Sequence, residues 1–312
     1  MMDVSALQWL IAPLPLLVLG LLIGSFLNVV IHRMPLMLER GWLGDIADFL
    51  QDRKTLDRVL GTKALGRLGD TSAQGKRLAD ELAQLTPIGL SKPRSRCPHC
   101  GHQITWYENI PLLSWLWLKG RCSRCKAPIS VRYPLIELLT GLLFAAVAWR
   151  FGGGSATVVY CIATAIMVAA AFIDLDTTLL PDNLTLPLIA LGLIAAWLNW
   201  IPVSLPDAAL GAVFGYLSLW SVSTIYGLIK GQVGMAEGDF KLLAGLGALL
   251  GWQALLPIIL MSSVVGAAIG IYLIVAKGHQ REVPIPFGPY LAGGGMVVML
   301  MGHQAVMRLI NI

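Results

Sequence analysis

Long apolar runs separated by short polar breaks make up most of the 312-residue chain. A transmembrane helix needs roughly 17 to 25 mostly apolar residues, because the hydrocarbon core of a bilayer is ~30 Å thick. Eight runs approach this length and predict about eight transmembrane helices, at residues 14–31, 134–150, 156–173, 184–201, 207–229, 240–255, 257–276 and 286–307. The sixth run is the weakest because it is short and merges into the seventh at Pro257, so a seven-helix alternative stays open.

The composition supports a membrane protein of the all-α class. The chain is 56% hydrophobic and 13% charged, whereas a soluble protein has about 25% charged residues. Alternating strand patterns of the kind found in membrane barrels are absent from the sequence. The first run is expected to remain as a helix, because it lacks the basic start and small-residue cleavage site of a signal peptide.

Positive charge is concentrated between the first two predicted helices. Of the 23 Lys and Arg residues, 17 lie between Arg33 and Arg132. Segments rich in Lys and Arg stay cytoplasmic, so the chain is predicted to comprise a first helix (1–32), a cytoplasmic domain (33–133) and a seven-helix membrane core (134–312). The net charge of +5 is explained by this topology and by attraction to anionic lipid, and no nucleic-acid partner is predicted.

The predicted cytoplasmic domain has two halves. In residues 41–90, Trp42, Ile46, Phe49 and Leu50 recur at helical spacing and predict amphipathic helices without catalytic features. Residues 94–130 contain two C-x-x-C pairs, "CPHC" and "CSRC".

Paired C-x-x-C turns are the usual frame of a four-thiolate zinc site, because each turn presents two sulfurs on one side. Disulfides are the weaker alternative for a cytoplasmic loop. A site filled by four cysteines leaves no position open for water, so the metal is expected to be structural. His99 and His102 are not expected to be ligands, and Cys161 is expected to be an inert buried thiol. The predicted ligands are Cys97, Cys100, Cys122 and Cys125.

Carboxylates also collect at the ends of the predicted helices. The stretch "FIDLDTTLLPD" contains Asp174, Asp176 and Asp182, and Asp239 opens a later helix. Two converging carboxylates can share a proton, so that one activates water and the other donates a hydrogen bond to a scissile carbonyl. Asp182 is most simply a helix N-cap, Asp176 is either functional or merely solvated, and spacing alone does not choose among the three.

Glu137 lies within the second predicted helix. An acid inside a membrane segment is a functional candidate by default. A partner for its charge, or a polar cavity that it lines, is the alternative, and its role stays open.

Seven ordered motifs resemble those of the prepilin peptidases, also called type IV leader peptidases. The resemblance runs over nearly the whole chain except residues 41–90. The motifs are "GSFLNVVIHRMP", the two C-x-x-C pairs, "WYENIPLLSWLWLKGRC", "RYPLIELLTG", "FIDLDTTLLPD", "GMAEGDFKLLAGLGALLGW" and "PIPFGPYLA".

This resemblance implies a bifunctional enzyme of the bacterial inner membrane. It would cleave the leader of type IV prepilins or type II secretion pseudopilins after a glycine, and N-methylate the new terminus with S-adenosylmethionine. The family pattern places the catalytic aspartates at Asp174 and Asp239. Ala236 replaces the first glycine of the family's G-x-G-D motif, which would be strained if that position needed a positive φ.

The residues that bind the methyl donor are unknown from sequence, and the first place to look is near Asn28, His32, Arg33 and Glu137. Two other classes of function are weighed beside the enzyme. A transporter would place its acids near the midplane of broken, repeated helices, whereas these acids lie at helix ends. A zinc-ribbon membrane adaptor would leave the aspartate motifs unexplained.

Overall fold

The computed structural model describes residues 11–231, 234–277 and 285–309, and these residues are mostly helical. The helices are α1 Pro13–Gln51, α2 Arg53–Leu60, α3 Thr62–Arg67, α4 Thr71–Gln84, α5 Leu113–Trp117, α6 Arg132–Phe151, α7 Ser155–Thr177, α8 Asp182–Trp197, α9 Leu205–Lys230, α10 Glu237–Leu250, α11 Leu255–Lys277, α12 Gly288–Met301 and α13 His303–Leu309. Short 3₁₀ turns occur at Tyr107–Asn109 and Trp252–Ala254. The described part of the chain contains no strands, only isolated β-bridges.

Each of the eight predicted apolar runs coincides with a helix, which confirms an all-α polytopic membrane protein. Five helices are long and apolar enough to cross a membrane, and α12 with α13 makes a sixth if this pair, bent by 106°, is one span. The remaining two runs form the shorter helices α8 and α10, of 16 and 14 residues.

The first helix does not end near residue 32. It continues through Pro35 as one helix of 39 residues, Pro13–Gln51. Proline removes one backbone donor, but here the helix continues on both sides of it. Trp42, Ile46 and Phe49 are helical as predicted and remain exposed.

By its internal contacts the chain divides into two compact units, and the predicted domain bounds stay a prediction. The unit His32–Ile104 contains the end of α1 and helices α2 to α4. A Cβ at Gly75 would lie 2.5 Å from the Ala47 carbonyl oxygen, so α4 packs directly on α1. Arg33 and Arg40 donate to the carbonyls of Gly89 and Thr86, each at 2.8 Å. These bonds hold the segment after α4 against α1.

The other unit, Met1–Ile31 with Thr105–Ile312, is built around α10. Leu242, Leu243 and Leu246 are fully buried, because α10 packs between α8 and α9. The helices approach closely where side chains are absent. A Cβ at Gly247 would overlap the backbone of Gly211 in α9, and one at Gly192 would lie 2.7 Å from the Ala248 backbone.

The small residues of "GLGALLG" (245–251) therefore serve helix packing. A short, largely buried helix can keep its position in a membrane protein through such contacts, because small residues allow backbones to approach.

We predict that Gly247→Ala destabilises the membrane unit. The added methyl group overlaps the Gly211 backbone, and overpacking of this kind costs about 1–3 kcal/mol. The measurement is the midpoint of heat-induced unfolding in detergent. Gly293→Ala is the matched control, since nothing lies within 4 Å of its added Cβ. Equal midpoints for the two variants would contradict the prediction.

Candidate active site and metal centre

Asp174 lies in the last turn of α7 and is buried, with 4% of its surface exposed. The helix ends just beyond it because Thr178 adopts a left-handed conformation, with φ 53°, and donates its backbone N–H to the Asp174 carbonyl at 2.8 Å. The backbone N–H of Gly288, the first residue of α12, donates to Asp174 Oδ2 at 2.9 Å. The carboxylate therefore sits at a helix N-terminus, where backbone N–H groups and the helix dipole stabilise negative charge.

Asp239 lies in the first turn of α10 and is also buried, with 6% of its surface exposed. Its Oδ1 atom has no hydrogen-bond partner in the described part of the chain. The Asp174 and Asp239 carboxyl groups are close enough for their charges to interact. The structure thus brings together the two aspartates that the sequence singled out, each at the end of a different helix.

Leu180 packs against the start of α10, which carries Asp239, and against the start of α12, which contacts Asp174. A Cβ added at Gly238 would lie 2.5 Å from Leu180 Cβ, and one added at Gly288 would lie 3.0 Å from Leu180 Cδ1 and 2.7 Å from Asp174 Oδ2. Two glycines therefore let α10 and α12 approach one buried leucine next to the dyad. Sequence reasoning did not identify Gly288 or Leu180; the only local signal is Pro289 at the start of α12.

Ala236, which replaces a glycine of the family motif, fits without strain. It is the N-cap of α10 with φ −75° and ψ 148°, an extended conformation that any residue adopts. Gly238 is the glycine that the local packing requires, because of its approach to Leu180.

The prediction that Asp182 caps its helix is wrong. Pro181 occupies the N-cap position of α8, and Asp182 lies in the first turn. Its carboxylate instead binds Lys241 Nζ at 2.8 Å, and Lys241 also pairs with Glu237 at 3.1 Å. A cation supplied by α10 thus binds the carboxylate, which in this position also complements the helix dipole.

Asp176 is held away from the dyad by an ion pair. Both of its carboxylate oxygens accept from Arg132, each at 2.7 Å. This bidentate geometry is the preferred one for arginine and carboxylate.

Glu137 anchors a loop. It is buried in α6, and its Oε2 accepts the backbone N–H of Leu112 at 2.8 Å. Leu112 has φ 59°, a left-handed conformation that is unusual for leucine. Because Glu137 binds a backbone N–H 25 residues away, no local sequence pattern indicates this role.

Two of the residues suggested for the methyl donor make hydrogen bonds to backbone carbonyls, and the part of all four in binding the donor stays a prediction. Asn28 donates to the carbonyls of Gly24 and Tyr133, whereas Arg33 binds the Gly89 carbonyl.

An open cavity of about 630 Å³ borders the first turn of α10. Its lining mixes aromatic and polar side chains, a combination that suits a peptide better than a purely apolar ligand. The lining includes Tyr216, Trp220, Ser223, Thr224, Glu237 and Phe240.

The two C-x-x-C turns have the same backbone geometry. In the first, the Cys97 N–H donates to the His102 carbonyl and the Gly101 N–H to the Cys97 carbonyl. In the second, the Cys122 N–H donates to the Ala127 carbonyl and the Lys126 N–H to the Cys122 carbonyl. A β-bridge flanks each turn, Arg96 with Gln103 and Arg121 with Pro128.

The four sulfur atoms lie within 4.8 Å of one another, and among the described residues this group consists of cysteines alone. Four thiolates at this separation fit a tetrahedral metal ion of the zinc type, and they leave no position open for water. His99 and His102 are not part of the group. The structure therefore brings together the four cysteines that the sequence singled out, and their role as metal ligands stays a prediction.

We predict that substitutions at the residue after the second cysteine of each turn have opposite effects on metal retention. Gly101 and Lys126 both have positive φ, 69° and 61°. Left-handed backbone costs a non-glycine residue about 1 kcal/mol. Lys126→Gly should therefore raise, and Gly101→Ala lower, the chelator concentration that removes half of the bound metal. Arg124→Gly is the control for lost charge, and a similar shift in that variant would contradict the explanation.

Comparison with known proteins identifies two matching regions. Residues 18–151 match the Bacterial Peptidase A24 N-terminal domain, and residues 161–271 match the Type IV leader peptidase family. No solved structure matches the chain.

Curated relatives are similar over nearly their whole length. The prepilin leader peptidase/N-methyltransferase of Aeromonas hydrophila is 50% identical over 96% of this chain and 93% of its own. Proteins of the same name from Stutzerimonas stutzeri and Pseudomonas aeruginosa are 48% and 47% identical, each over 92% of this chain and 90% of their own. On this similarity, the chain belongs to the type IV leader peptidase family.

Proposed function

We propose that the protein is a bifunctional prepilin leader peptidase and N-methyltransferase. Relatives that carry this name are 42% to 50% identical to the chain. The two matching regions are the Bacterial Peptidase A24 N-terminal domain and the Type IV leader peptidase family. The substrates are type IV prepilins or type II secretion pseudopilins, cleaved after a glycine. S-adenosylmethionine supplies the methyl group for the new N-terminus.

The observation that carries the peptidase assignment is the pair of buried carboxyl groups at Asp174 and Asp239. The Gly288 N–H and the start of α12 stabilise charge on Asp174. Asp239 Oδ1 lacks a donor among the described residues. We therefore assign the shared proton to Asp239 and the ionised carboxylate to Asp174.

In this mechanism, Asp174 removes a proton from a water molecule, and the hydroxyl oxygen attacks the scissile carbonyl carbon. Asp239 donates its proton to the carbonyl oxygen, giving a neutral gem-diol. Asp174 then passes its proton to the departing amine as the carbon–nitrogen bond breaks, and one diol proton returns to Asp239. The dyad is restored without a metal or a covalent intermediate.

The cavity beside α10 is proposed to hold the substrate next to this dyad. A prepilin combines a basic leader with an apolar helix, and the cavity offers aromatic side chains such as Trp220 together with the carboxylate of Glu237. Glu237 and Asp239 both lie in the first turn of α10, so a peptide in the cavity would lie beside the helical turn that carries Asp239.

We propose zinc as the metal of the four-cysteine site, in a structural role. Four thiolates suit zinc, and a closed coordination shell cannot activate water. The metal would hold the two C-x-x-C turns together, and the residues that bind S-adenosylmethionine stay unassigned.

The protein is proposed to reside in the bacterial inner membrane with the loop on the cytoplasmic side. The support is the concentration of 17 of 23 Lys and Arg residues between Arg33 and Arg132. Asp174 and Asp239 lie at ends of α7 and α10 that would face the same side.

We predict that Asp174→Asn and Asp239→Asn each reduce prepilin cleavage by roughly 10²–10⁴-fold, the usual contribution of a general acid or base. The assay is cleavage of a model prepilin by the full chain in detergent. Asp176→Asn and Asp182→Asn are matched controls, because their carboxylates pair with Arg132 and Lys241 outside the dyad.

Methylation of a pre-cleaved pilin serves as the internal test of folding, and all four variants should retain it. Full cleavage by Asp174→Asn or Asp239→Asn would refute the dyad. Loss of cleavage in Asp176→Asn alone would place the first catalytic aspartate two residues later.

We predict that Gly288→Ala reduces cleavage by roughly 10²-fold, because a displaced catalytic group loses about this much. The added methyl carbon would lie 2.7 Å from Asp174 Oδ2. Methylation of the pre-cleaved pilin should be unchanged. Gly293→Ala in the same helix is the control, and equal cleavage by the two variants would show that Gly288 does not position Asp174.

A further inference from the structure

Residues 105–118, between the two C-x-x-C turns, expose an unusual amount of apolar surface. Trp106 and Trp117 are 80% and 79% exposed, and Leu113 and Leu116 are 65% and 62% exposed. Contiguous apolar surface of this kind marks an interaction site. We call residues 105–118 the aromatic loop.

The exposed residues of α5 lie on one face of the helix. Leu113, Leu116 and Trp117 are spaced three and four residues apart and therefore share a face. Trp115 lies on the opposite face, where its Nε1–H donates to the Ile129 carbonyl at 3.2 Å. Its ring also packs on Gly120, where an added Cβ would lie 2.9 Å away. One side of α5 is thus fixed to the protein and the other is left uncovered.

A hydrogen bond to Glu137 fixes the depth of the aromatic loop along α6, a helix that crosses the membrane. Glu137, which accepts the Leu112 N–H, lies five residues after the start of α6, about 7.5 Å along its axis at 1.5 Å per residue. The packing of α1 against α6 also indicates that Glu137 lies within the membrane-spanning part of α6. A Cβ at Gly24 would lie 2.7 Å from Glu137 Cα, and Gly24 is well before the predicted end of the first span at residue 31.

Two neighbouring surfaces indicate what covers the loop. Along α6, Leu135, Leu138 and Leu142 are exposed and face lipid in a helix that crosses the membrane. Directly after the loop come four exposed basic residues, Lys119, Arg121, Arg124 and Lys126. Tryptophan at the boundary and Lys and Arg beyond it are typical of a segment lying in the membrane interface.

We propose that the aromatic loop is embedded in the interfacial layer of the bilayer that α6 crosses. The side chains of Leu113, Leu116 and Trp117 enter the boundary of the acyl chains. The four basic residues contact anionic lipid head groups, which attract Lys and Arg at the membrane surface. The turn that carries Cys122 and Cys125 is then held at the membrane surface. This proposal does not depend on the catalytic assignment.

The test places a fluorescent non-canonical amino acid at residue 117, and separately at residue 115, in the full-length protein. Each variant is reconstituted in nanodiscs of phosphatidylcholine with phosphatidylglycerol, with or without bromine on the acyl chains. The label at 117 should lose most of its fluorescence to brominated lipid, and the label at 115 little. Position 142 provides the lipid-exposed reference, and a label at 116 repeats the test if the 117 variant does not fold.

Quenching of residue 117 by aqueous iodide with no effect of brominated lipid would overturn the proposal. Protection from both quenchers would overturn it equally, because it would mean that protein covers the loop. In nanodiscs of phosphatidylcholine alone, quenching at 117 should decrease. Unchanged quenching there would refute the part assigned to anionic head groups.

Discussion

The packing of Leu180 against Gly238 and Gly288 determines the geometry of the candidate active site. Both glycines lie at the starts of helices, and any side chain there would separate α10 and α12 from the loop after α7. Because Asp239 follows Gly238 directly and Asp174 accepts the Gly288 N–H, the distance between the carboxyl groups depends on this packing. Interiors packed at crystal-like density transmit such displacements instead of absorbing them.

The same principle extends along α10. Its contact with α9 at Gly211 and with α8 at Gly192 lets a 14-residue helix remain buried from Asp239 to Leu249, except at Lys241. The position of Asp239 in the first turn of α10 is therefore restrained by contacts along the whole helix. A longer and more loosely packed helix would hold Asp239 less rigidly.

Local sequence patterns predicted much of this architecture. Hydropathy located eight apolar runs that are helical in the structure, the last of which is divided between α12 and α13, because the bilayer imposes a length and a composition that are visible in the sequence. The C-x-x-C spacing predicted the four-cysteine group for a similar reason, since each turn is a local structure. The family motifs indicated Asp174 and Asp239, and the fold brings the two carboxyl groups close together.

Contacts between residues distant in sequence were not predictable. The Asp174 carboxylate binds an amide 114 residues away, and Asp182 was assigned as a cap because Lys241, 59 residues later, could not be anticipated. The continuation of α1 to Gln51 was missed because the apolar run ends near residue 31, whereas the helix continues through Pro35 into a more polar segment. In each case the local sequence pattern contains no sign of the distant contact or of the longer helix that determines the structure.

The bidentate pair of Arg132 with Asp176 closes a ring in the polypeptide. Arg132 and Asp176 are 44 positions apart in the sequence, and the chain between them runs along α6 and back along α7, so the pair joins the open end of this hairpin. The ion pair opposes separation of α6 and α7 at this end of the hairpin. A displacement of Arg132 would act on α7 at Asp176, two residues from Asp174. Since Arg132 follows the second C-x-x-C turn by seven residues, the metal-binding loop and the proposed peptidase centre are mechanically linked through one short span of chain and one ion pair.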